Sequence, residues 1–309
     1  MNTPRFSVVI PIHNAEDSLI STVESVLEQS EPNFELLLLD DGSTDGSLAI
    51  MRALAAHDRR IHVRTQRNAG VSATRNLGVR LARGLFVAFL DADDVWHRDK
   101  LATHWQFHLD RPQVRCSYAK IAFLQNDEPG LRDARTHSTV PAGRLSLAQI
   151  LGENPVCTSS NIVIDRECFE RIGGFRTDMQ YAEDQEWLAR AVDAGLAVVG
   201  LNELLVGYRM SPTGLSSDLD AMYDGWKRLV ADYRAHFEHA AAQALYCRYL
   251  ARRALRSGAS SRQALRFAMA GLFASPQTFC DDLRRGLLTL AGAMASPVMS
   301  SRLRTRLFA

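Results

Sequence analysis

The chain has 309 residues, 46% hydrophobic and 23% charged, a balance that suits a soluble globular protein with one large core or two smaller ones. Its formal net charge of +1 gives no general affinity for nucleic acid, and its five scattered cysteines, without a C-x-x-C pair, argue for a reducing compartment and against a thiolate metal site. No apolar leader precedes the first predicted strand and no run approaches the roughly 20 apolar residues that span a bilayer, so a cytoplasmic location is expected.

Residues 6–14, "FSVVIPIHN", form a β-branched run without helical period, closed by Pro11 and polar residues, and predict a buried parallel strand followed by a loop. Residues 17–30 place Leu19, Val23, Val26 and Leu27 on one face of a helix. "FELLLLDD" (34–41) predicts the next strand and 46–58 the next helix. A third strand is expected over 61–66, then a helix over 72–84 with Gly84 at its C-cap, then a fourth strand in "LFVAFLDADD" (85–94). This alternation predicts an α/β protein whose mainly parallel, Rossmann-like sheet is flanked by helices.

Ligands of open α/β sheets bind beyond the carboxyl ends of the strands. Here those ends carry Asp40 and Asp41 on the second strand, and Asp91, Asp93 and Asp94 on the fourth. Carboxylates gathered in one crevice repel one another unless a cation or hydrogen-bond donors join them. Mg²⁺ and Mn²⁺ take oxygen ligands, typically one or two carboxylates plus the oxygens of a bound phosphate, so the pattern predicts a metal–phosphate site. "GVSATRNLG" (70–78) fits neither G-x-G-x-x-G nor the P-loop, which argues against a dinucleotide site and against a P-loop NTPase. A nucleotidyltransferase would need a phosphate loop rich in Gly, Lys and Arg near the first strand, and "PIHNAEDS" lacks one.

Five blocks, "SVVIPIHNAE", "LLLLDDGSTDGS", "NAGVSATRNLGVRLARG", "FLDADD" and "YAEDQEWLARAVDAG", occur in the order found in the inverting glycosyltransferases of family 2, and residues 5–217 resemble that family's GT-A fold. The resemblance implies transfer of a sugar, with inversion, from a nucleotide-diphosphate donor, read here as a UDP-sugar, to a glycan or lipid-linked acceptor, with Mg²⁺ or Mn²⁺. Carried over by position, it implies that Pro11, His13 and Asn14 line the nucleotide site, His13 standing where the family often places an aromatic against the base. It gives Asp41 the uracil N3 hydrogen, Asp91 the donor ribose or sugar, Asp93 the metal, and Arg75 a helping role on the phosphate side. Asp184 would be the general base that deprotonates the acceptor hydroxyl. Inversion is a single displacement, so one base on the acceptor side and charge stabilisation on the leaving-group side suffice. Asp184 is expected just before a helix closed by Gly195, where the dipole would lower its pKa and burial would raise it. The alternative is a non-catalytic protein that kept the fold to bind nucleotide-sugars, and the presence of Asp41, Asp91, Asp93 and Asp184 favours the enzyme.

Blander readings stand beside these. Asp40 also reads as a turn former before Gly42, Asp45 and Asp94 as loop-solvating or capping residues, and Glu183 as a cap. His104 and His108 have the i, i+4 spacing of a zinc pair, but with no third ligand nearby they read as a plain helix face. Arg209 and Ser216 resemble a loop that closes over the diphosphate, with Ser211 where relatives commonly carry a histidine. Residues 220–309 hold 14 Lys and Arg against 6 Asp and Glu, a net of +8 that leaves −7 on the first 219. Pro212 and Gly214 punctuate the change, so a catalytic domain over 1–217 and a basic α-helical region over 218–309 are expected. In that region Ser260 and Gln263 have capping-box spacing and Ser275-Pro276 reads as a cap with Pro at N1. Three or four helices would then carry Arg248, Arg252, Arg253, Arg256, Arg262 and Arg266. They would form either a packed extension with a solvated arginine face or a platform in peripheral contact with the anionic inner membrane surface, where a lipid-linked acceptor would be met.

Overall fold

β1 (Phe6–Ile12) and β2 (Phe34–Asp40) are buried at every residue, as uninterrupted apolar runs require of strands covered on both faces. The computed structural model describes residues 3–124, 130–210, 215–233, 238–257 and 259–308. With β1 and β2 come α1 (Leu19–Leu27), α2 (Ser47–His57), β3 (Ile61–Thr65), α3 (Val71–Leu81), β4 (Phe86–Phe89), β5 (Val95–Trp96) and α4 (Lys100–Asp110). The chain continues through β6 (Cys116–Leu124), β7 (Thr136–His137), α5 (Leu147–Leu151), β8 (Val163–Asp165), α6 (Arg166–Ile172), α7 (Glu183–Asp193) and β9 (Val198–Arg209). Helices follow to the end: α8 (Leu219–Asp232), α9 (His239–Arg256), α10 (Ser261–Ala274), α11 (Pro276–Phe279), α12 (Leu283–Ala295) and α13 (Ser301–Phe308). Two compact units result, Met1–Leu145 with Pro155–Arg209, and Ser146–Asn154 with Met210–Ala309. The second unit takes in α5, which a single cut at 217 does not anticipate. Ser211, Pro212 and Gly214 lie outside the described residues.

In the first unit the sheet runs β3-β2-β1-β4-β8-β6-β9-β5, with β7 paired to β6. β3, β2, β1 and β4 are mutually parallel, as the strand–helix alternation predicts. β8 is antiparallel to β4 and β6, β9 is parallel to β6, and β5 is antiparallel to β9. The β1–β2 register runs from Phe6 beside Phe34 to Ile12 beside Asp40, whereas β1 and β4 pair only as far as Val9 beside Phe89. β4 therefore leaves the sheet just before Asp91, at the same end as Asp40 and Asp41. Gly84 is not the C-cap of α3; Ala82 is, in an extended conformation. A Cβ on Gly84 would lie 2.5 Å from the Ser7 nitrogen, so its role is to let the chain pass close to β1.

α4 shows why its two histidines are neither a zinc pair nor a plain helix face. His104 and His108 are both buried against Ser117 of β6, with Nδ1 of His104 at 2.7 Å and Nε2 of His108 at 2.8 Å from its hydroxyl oxygen. His108 Nδ1 lies 3.0 Å from the Val114 carbonyl, which can only accept, so one proton arrangement satisfies the chain. His108 donates through Nδ1, Ser117 donates to His108 Nε2, and His104 donates through Nδ1 to Ser117. His104 Nε2 is left to accept from Lys100 Nζ at 3.2 Å. Lys100 is fully buried over the Trp96 ring.

The second unit is helical, with six helices after residue 217 among the described residues. Trp226 of α8 is fully buried, stacks on Tyr223 and Tyr246, and donates through Nε1 to the Leu151 carbonyl of α5 at 2.7 Å. Arg248 is buried here and bridges Glu153 at 2.9 Å and Asp281 at 2.5 Å, so it is an internal clamp and not part of a solvated arginine face. Arg252, Arg253 and Arg256 are half-buried, and only Arg262 and Arg266 of the expected set are exposed. Ser275 caps α11 with Pro276 at N1 as predicted. Ser260 caps α10 through the Arg262 N–H, and the Gln263 side chain turns to Asp220, so the capping box does not form.

Candidate functional site

The carboxyl ends of β1, β2 and β4 supply most of the predicted site residues. Pro11 is a buried member of β1 beside Leu39, so it shapes the strand end from within the sheet. His13 and Asn14 follow it and are exposed. His13 Nδ1 lies 3.0 Å from the Asp41 carbonyl, and Asn14 Oδ1 accepts the Thr44 N–H at 2.8 Å. Asn14 holds a left-handed φ of 52°, Cys157 one of 68° and Ala182 one of 60°. All three stand immediately beside segments of the site, where strained backbone is commonly retained for geometry.

Asp40 forms the turn that its position before Gly42 suggests, accepting the Ser43 N–H at 3.0 Å, with Gly42 at φ 71°. Asp41 is buried and its carboxylate gathers the start of α3, accepting the N–H of Ala69 at 2.8 Å, of Gly70 at 2.9 Å and the Gln66 amide at 2.7 Å. A carboxylate offers about four acceptor positions, so three donors leave room for one ligand contact.

The Asp91-Ala92-Asp93 turn is held by partners that the sequence did not pair with it. Arg75 of α3 is almost fully buried and donates through Nη2 to Asp91 at 2.6 Å and through Nη1 to Glu183 at 2.8 Å. Burial alone would lower its pKa, and the Asp91 and Glu183 charges reverse that and raise it, so the guanidinium stays charged. Glu183 is therefore an ion-pair partner joining α7 to the end of β4. Asp94 is fully buried, not loop-solvating: it accepts the Ser160 hydroxyl at 2.6 Å and the Arg209 N–H at 3.0 Å. The Ser160 hydroxyl also accepts the Asp91 N–H at 3.0 Å, and Arg209 reaches the Asp93 carbonyl at 3.1 Å. The signal for Ser160 was the run of small polar residues "TSSN" leading into the apolar β8, a loop whose hydroxyls needed acceptors.

Asp93 is half-buried, and burial first, then the Asp91 charge, raises its pKa to about 6. Its own backbone N–H and the charges of Arg209 and Arg75 favour its ionised form. A carboxylate in that condition fits a cation. Among the described residues no three His, Cys, Asp or Glu side chains converge to hold a metal alone. A cation at Asp93 would thus take most of its ligands from phosphate and water, the habit of Mg²⁺.

Asp184 sits within the first turn of α7, one residue inside the expected position. The helix is anchored by Trp187, which donates to the Gly173 carbonyl at 2.8 Å, and by Arg190, which donates to the carbonyls of Ile172 and Gly174. Asn76 pins the same loop through two 2.8 Å bonds to Phe175. Asp184 Oδ1 accepts the Gln185 N–H at 2.7 Å. Its residue surface is partly open, yet the protein around the carboxyl raises its pKa to about 7, through desolvation first and the Glu183 charge second. Burial wins over the helix terminus. The clamp of Arg75 therefore brings Asp91, Asp93, Glu183 and Asp184 into one electrostatic cluster.

The family profile described as Glycosyl transferase family 2 matches residues 7–173. TuaG of Bacillus subtilis, a glycosyltransferase named for teichuronic acid biosynthesis, is 34% identical over 218 residues, which are 70% of this chain and 82% of that protein. WfgD of Escherichia coli, a UDP-Glc:alpha-D-GlcNAc-diphosphoundecaprenol beta-1,3-glucosyltransferase, is 27% identical over 214 residues, 69% of this chain and 79% of its own. In fold, the chain is similar to the mannosyltransferase PcManGT from Pyrobaculum calidifontis, solved with GDP-Man and Mn²⁺. That likeness has a TM-score of 0.62 at 18% identity and takes in 100% of this chain and 85% of that one, which places the architecture in the GT-A class.

Proposed function

Because the chain belongs to glycosyl transferase family 2, we propose that it transfers a hexosyl or N-acetylhexosaminyl group from a UDP-sugar, with inversion, to a lipid-linked glycan precursor at the inner membrane face. The observation that carries this reading is the Arg75 clamp, which ties Asp91 at the end of β4 to Glu183 beside Asp184. Leaving-group and acceptor chemistry would thereby be gathered around one buried cation. The uridine assignment rests on the one acceptor position left on Asp41, and the UDP-Glc in WfgD's name supports it. The diphosphoundecaprenol acceptor in the same name supports a lipid-linked substrate.

Asp93 would hold Mg²⁺ or Mn²⁺, which when bound offsets the charge that develops on the departing diphosphate; the Mn²⁺ in the PcManGT complex supports this. Asp91, oriented by Arg75, would receive donor ribose or sugar hydroxyls. Arg209, whose guanidinium already bonds the Asp93 carbonyl, would stand at the phosphate side. Asp184 would take the acceptor hydroxyl's proton on Oδ2 while Gln185 N–H steadies Oδ1. A carboxylate with a pKa near 7 is matched to that task at neutral pH, because it is substantially ionised and still basic enough to receive a proton.

Asp184→Asn tests the assignment. Calorimetric binding of UDP with Mn²⁺ should match the parent, and transfer should fall by a factor on the order of 10² to 10⁴. In the parent, transfer should rise with pH through about 7 and level off above it, since the base works only when ionised. A variant that binds the donor normally and transfers at the parental rate would remove Asp184 from the mechanism.

A further inference from the structure

α12 is amphipathic in the wrong sense for a bundle helix. Gly286, Thr289, Gly292 and Ala293 face inward and are buried, whereas Leu283, Leu287, Leu288 and Met294 are 65%, 54%, 56% and 64% exposed. Positions 283, 287, 291, 294 and 298 recur at helical spacing, so Ala291 and Val298 extend the leucines into a continuous outer stripe. The helix cannot roll over to hide it. A Cβ on Gly292 would lie 2.3 Å from the Phe308 ring, and one on Gly286 would lie 2.6 Å from the Phe279 carbonyl, so only the small face can be seated. α13 repeats the arrangement: Arg304 is buried and Phe308 packs at Gly292, while Leu303 and Leu307 are 47% and 60% exposed. An apolar patch of this extent marks a docking surface.

The charge around the stripe selects the occupant. Residues 239–309 contain eleven arginines and two acidic residues, a net of +9, of which Arg248 is held by Glu153 and Asp281 and Arg266 by Asp220. Arg256 and Arg304 donate to the carbonyls of Phe308 and Ala259, neutral acceptors that do not cancel their charge. Burial, then the Arg252 charge, lowers the pKa of Arg256 only to about 10, so it remains a cation at neutral pH. Arg284 stands exposed beside Leu283. A second copy of the chain would bring the same positive excess to the contact. A surface of anionic headgroups would neutralise it.

We propose that the outer face of α12 and α13 seats this protein on an anionic bilayer surface, with the leucine stripe entering the boundary between headgroups and acyl chains and Arg284 meeting phosphates. α12 has 13 residues, about 20 Å at 1.5 Å per residue, and among the described residues no helix is long and apolar enough to cross a membrane. The helix would therefore lie in the plane of the interface. This inference rests on the lipid-linked acceptor proposed above and locates the surface that would bring the chain to it.

The full chain is floated with vesicles of phosphatidylcholine alone and with vesicles in which roughly one lipid in three is phosphatidylglycerol. The parent should float with the anionic vesicles and lose most of that binding at high salt. Leu283→Gln/Leu287→Gln/Leu288→Gln, which changes only exposed residues, should lower the partition coefficient by at least about tenfold. Arg284→Gln should lower binding to the anionic vesicles alone. Flotation of the triple variant equal to the parent's overturns the proposal, as does a parent that ignores anionic vesicles. A parent that forms dimers which the triple variant abolishes, without vesicle binding, assigns the stripe to a second copy and likewise overturns it. UDP and Mn²⁺ binding is measured on the same samples. Lost flotation with donor binding intact concerns this surface, while lost donor binding in the parent concerns the catalytic reading.

Discussion

Asp184 feels two neighbouring charges of opposite sign, and each can be removed alone. After desolvation, the Glu183 charge is what most raises its pKa, and the Arg75 charge is what most lowers it. Glu183→Gln deletes the raising charge and frees Arg75 of one counterion, so both effects stabilise the Asp184 carboxylate. The acid limb of the pH–rate profile should move to lower pH. Arg75→Gln deletes the lowering charge, so Asp184 should need a higher pH to ionise and the limb should move up. Arg75→Gln should also cost about 3–5 kcal/mol of stability, because it leaves two clustered carboxylates without their buried partner. Profiles of kcat/KM for the two variants beside the parent decide the matter. Limbs that move in the same direction, or neither moving, would show that Asp184 does not govern the ionisation seen in the rate. At this scale the sequence was half legible. The aspartates at strand ends stood out because carboxylates following buried leucines need a reason. Glu183 and Arg75 did not reveal their partnership, because 108 positions separate them and only the fold brings them to 2.8 Å.

α4 carries a testable element-scale consequence of its buried chain of polar groups. Lys100 has no carboxylate partner in that chain, and burial lowers its pKa from 10.5 to about 7. The folded state therefore binds the Lys100 proton less tightly than the unfolded state does. Below pH 7 both states are protonated and the full cost of burying the ammonium is present. Between about 7 and 10.5 the folded protein sheds the proton first, so this cost is relieved as pH rises. Lys100→Met should stabilise the protein at pH 6 by on the order of 1–3 kcal/mol, less whatever is lost by leaving His104 Nε2 without a donor. That advantage should shrink toward pH 10. Denaturant unfolding of both proteins across this range is the measurement, and a difference that stays flat with pH would mean that Lys100 keeps its proton in the folded state throughout. Periodicity gave the helix itself, but not which face was inside: with His104, His108 and Lys100 all polar, the pattern pointed outward. Their burial follows from Ser117 on β6, an acceptor and donor that no local pattern can pair with α4.

The parallel half of the sheet, β3-β2-β1-β4, followed from the alternation of apolar runs and amphipathic stretches: α1 and α2 join sheet neighbours, and α3 carries the chain from β3 across to β4 beside β1. The remaining strands are β5 to β9, where short segments such as β5 and β8 owe their existence to partners far along the chain and not to their own pattern. The same non-locality explains α5. Its sequence shows nothing to distinguish it from a catalytic-domain insertion, yet Ile150 and Leu151 are fully buried within the second unit, where the Leu151 carbonyl accepts from Trp226 and Glu153 pairs with Arg248. A chain cut after Arg209 would thus keep α5 and lose the Trp226 and Arg248 that bond it. Two large apolar side chains would be bared, each worth about 1.5–3 kcal/mol of burial, along with a carbonyl and a carboxylate stripped of their donors. Such a truncation should be poorly soluble. Replacing residues 146–154 in it by a short Gly/Ser linker should restore solubility and UDP binding, because the sheet and its strand-end carboxylates lie wholly in the first unit. Soluble yield and calorimetric UDP binding of the two truncations give the answer. If the simple cut behaves as well as the linker version, α5 does not depend on the helices after Arg209, and the partition of the chain into these two units fails as a description of how it folds.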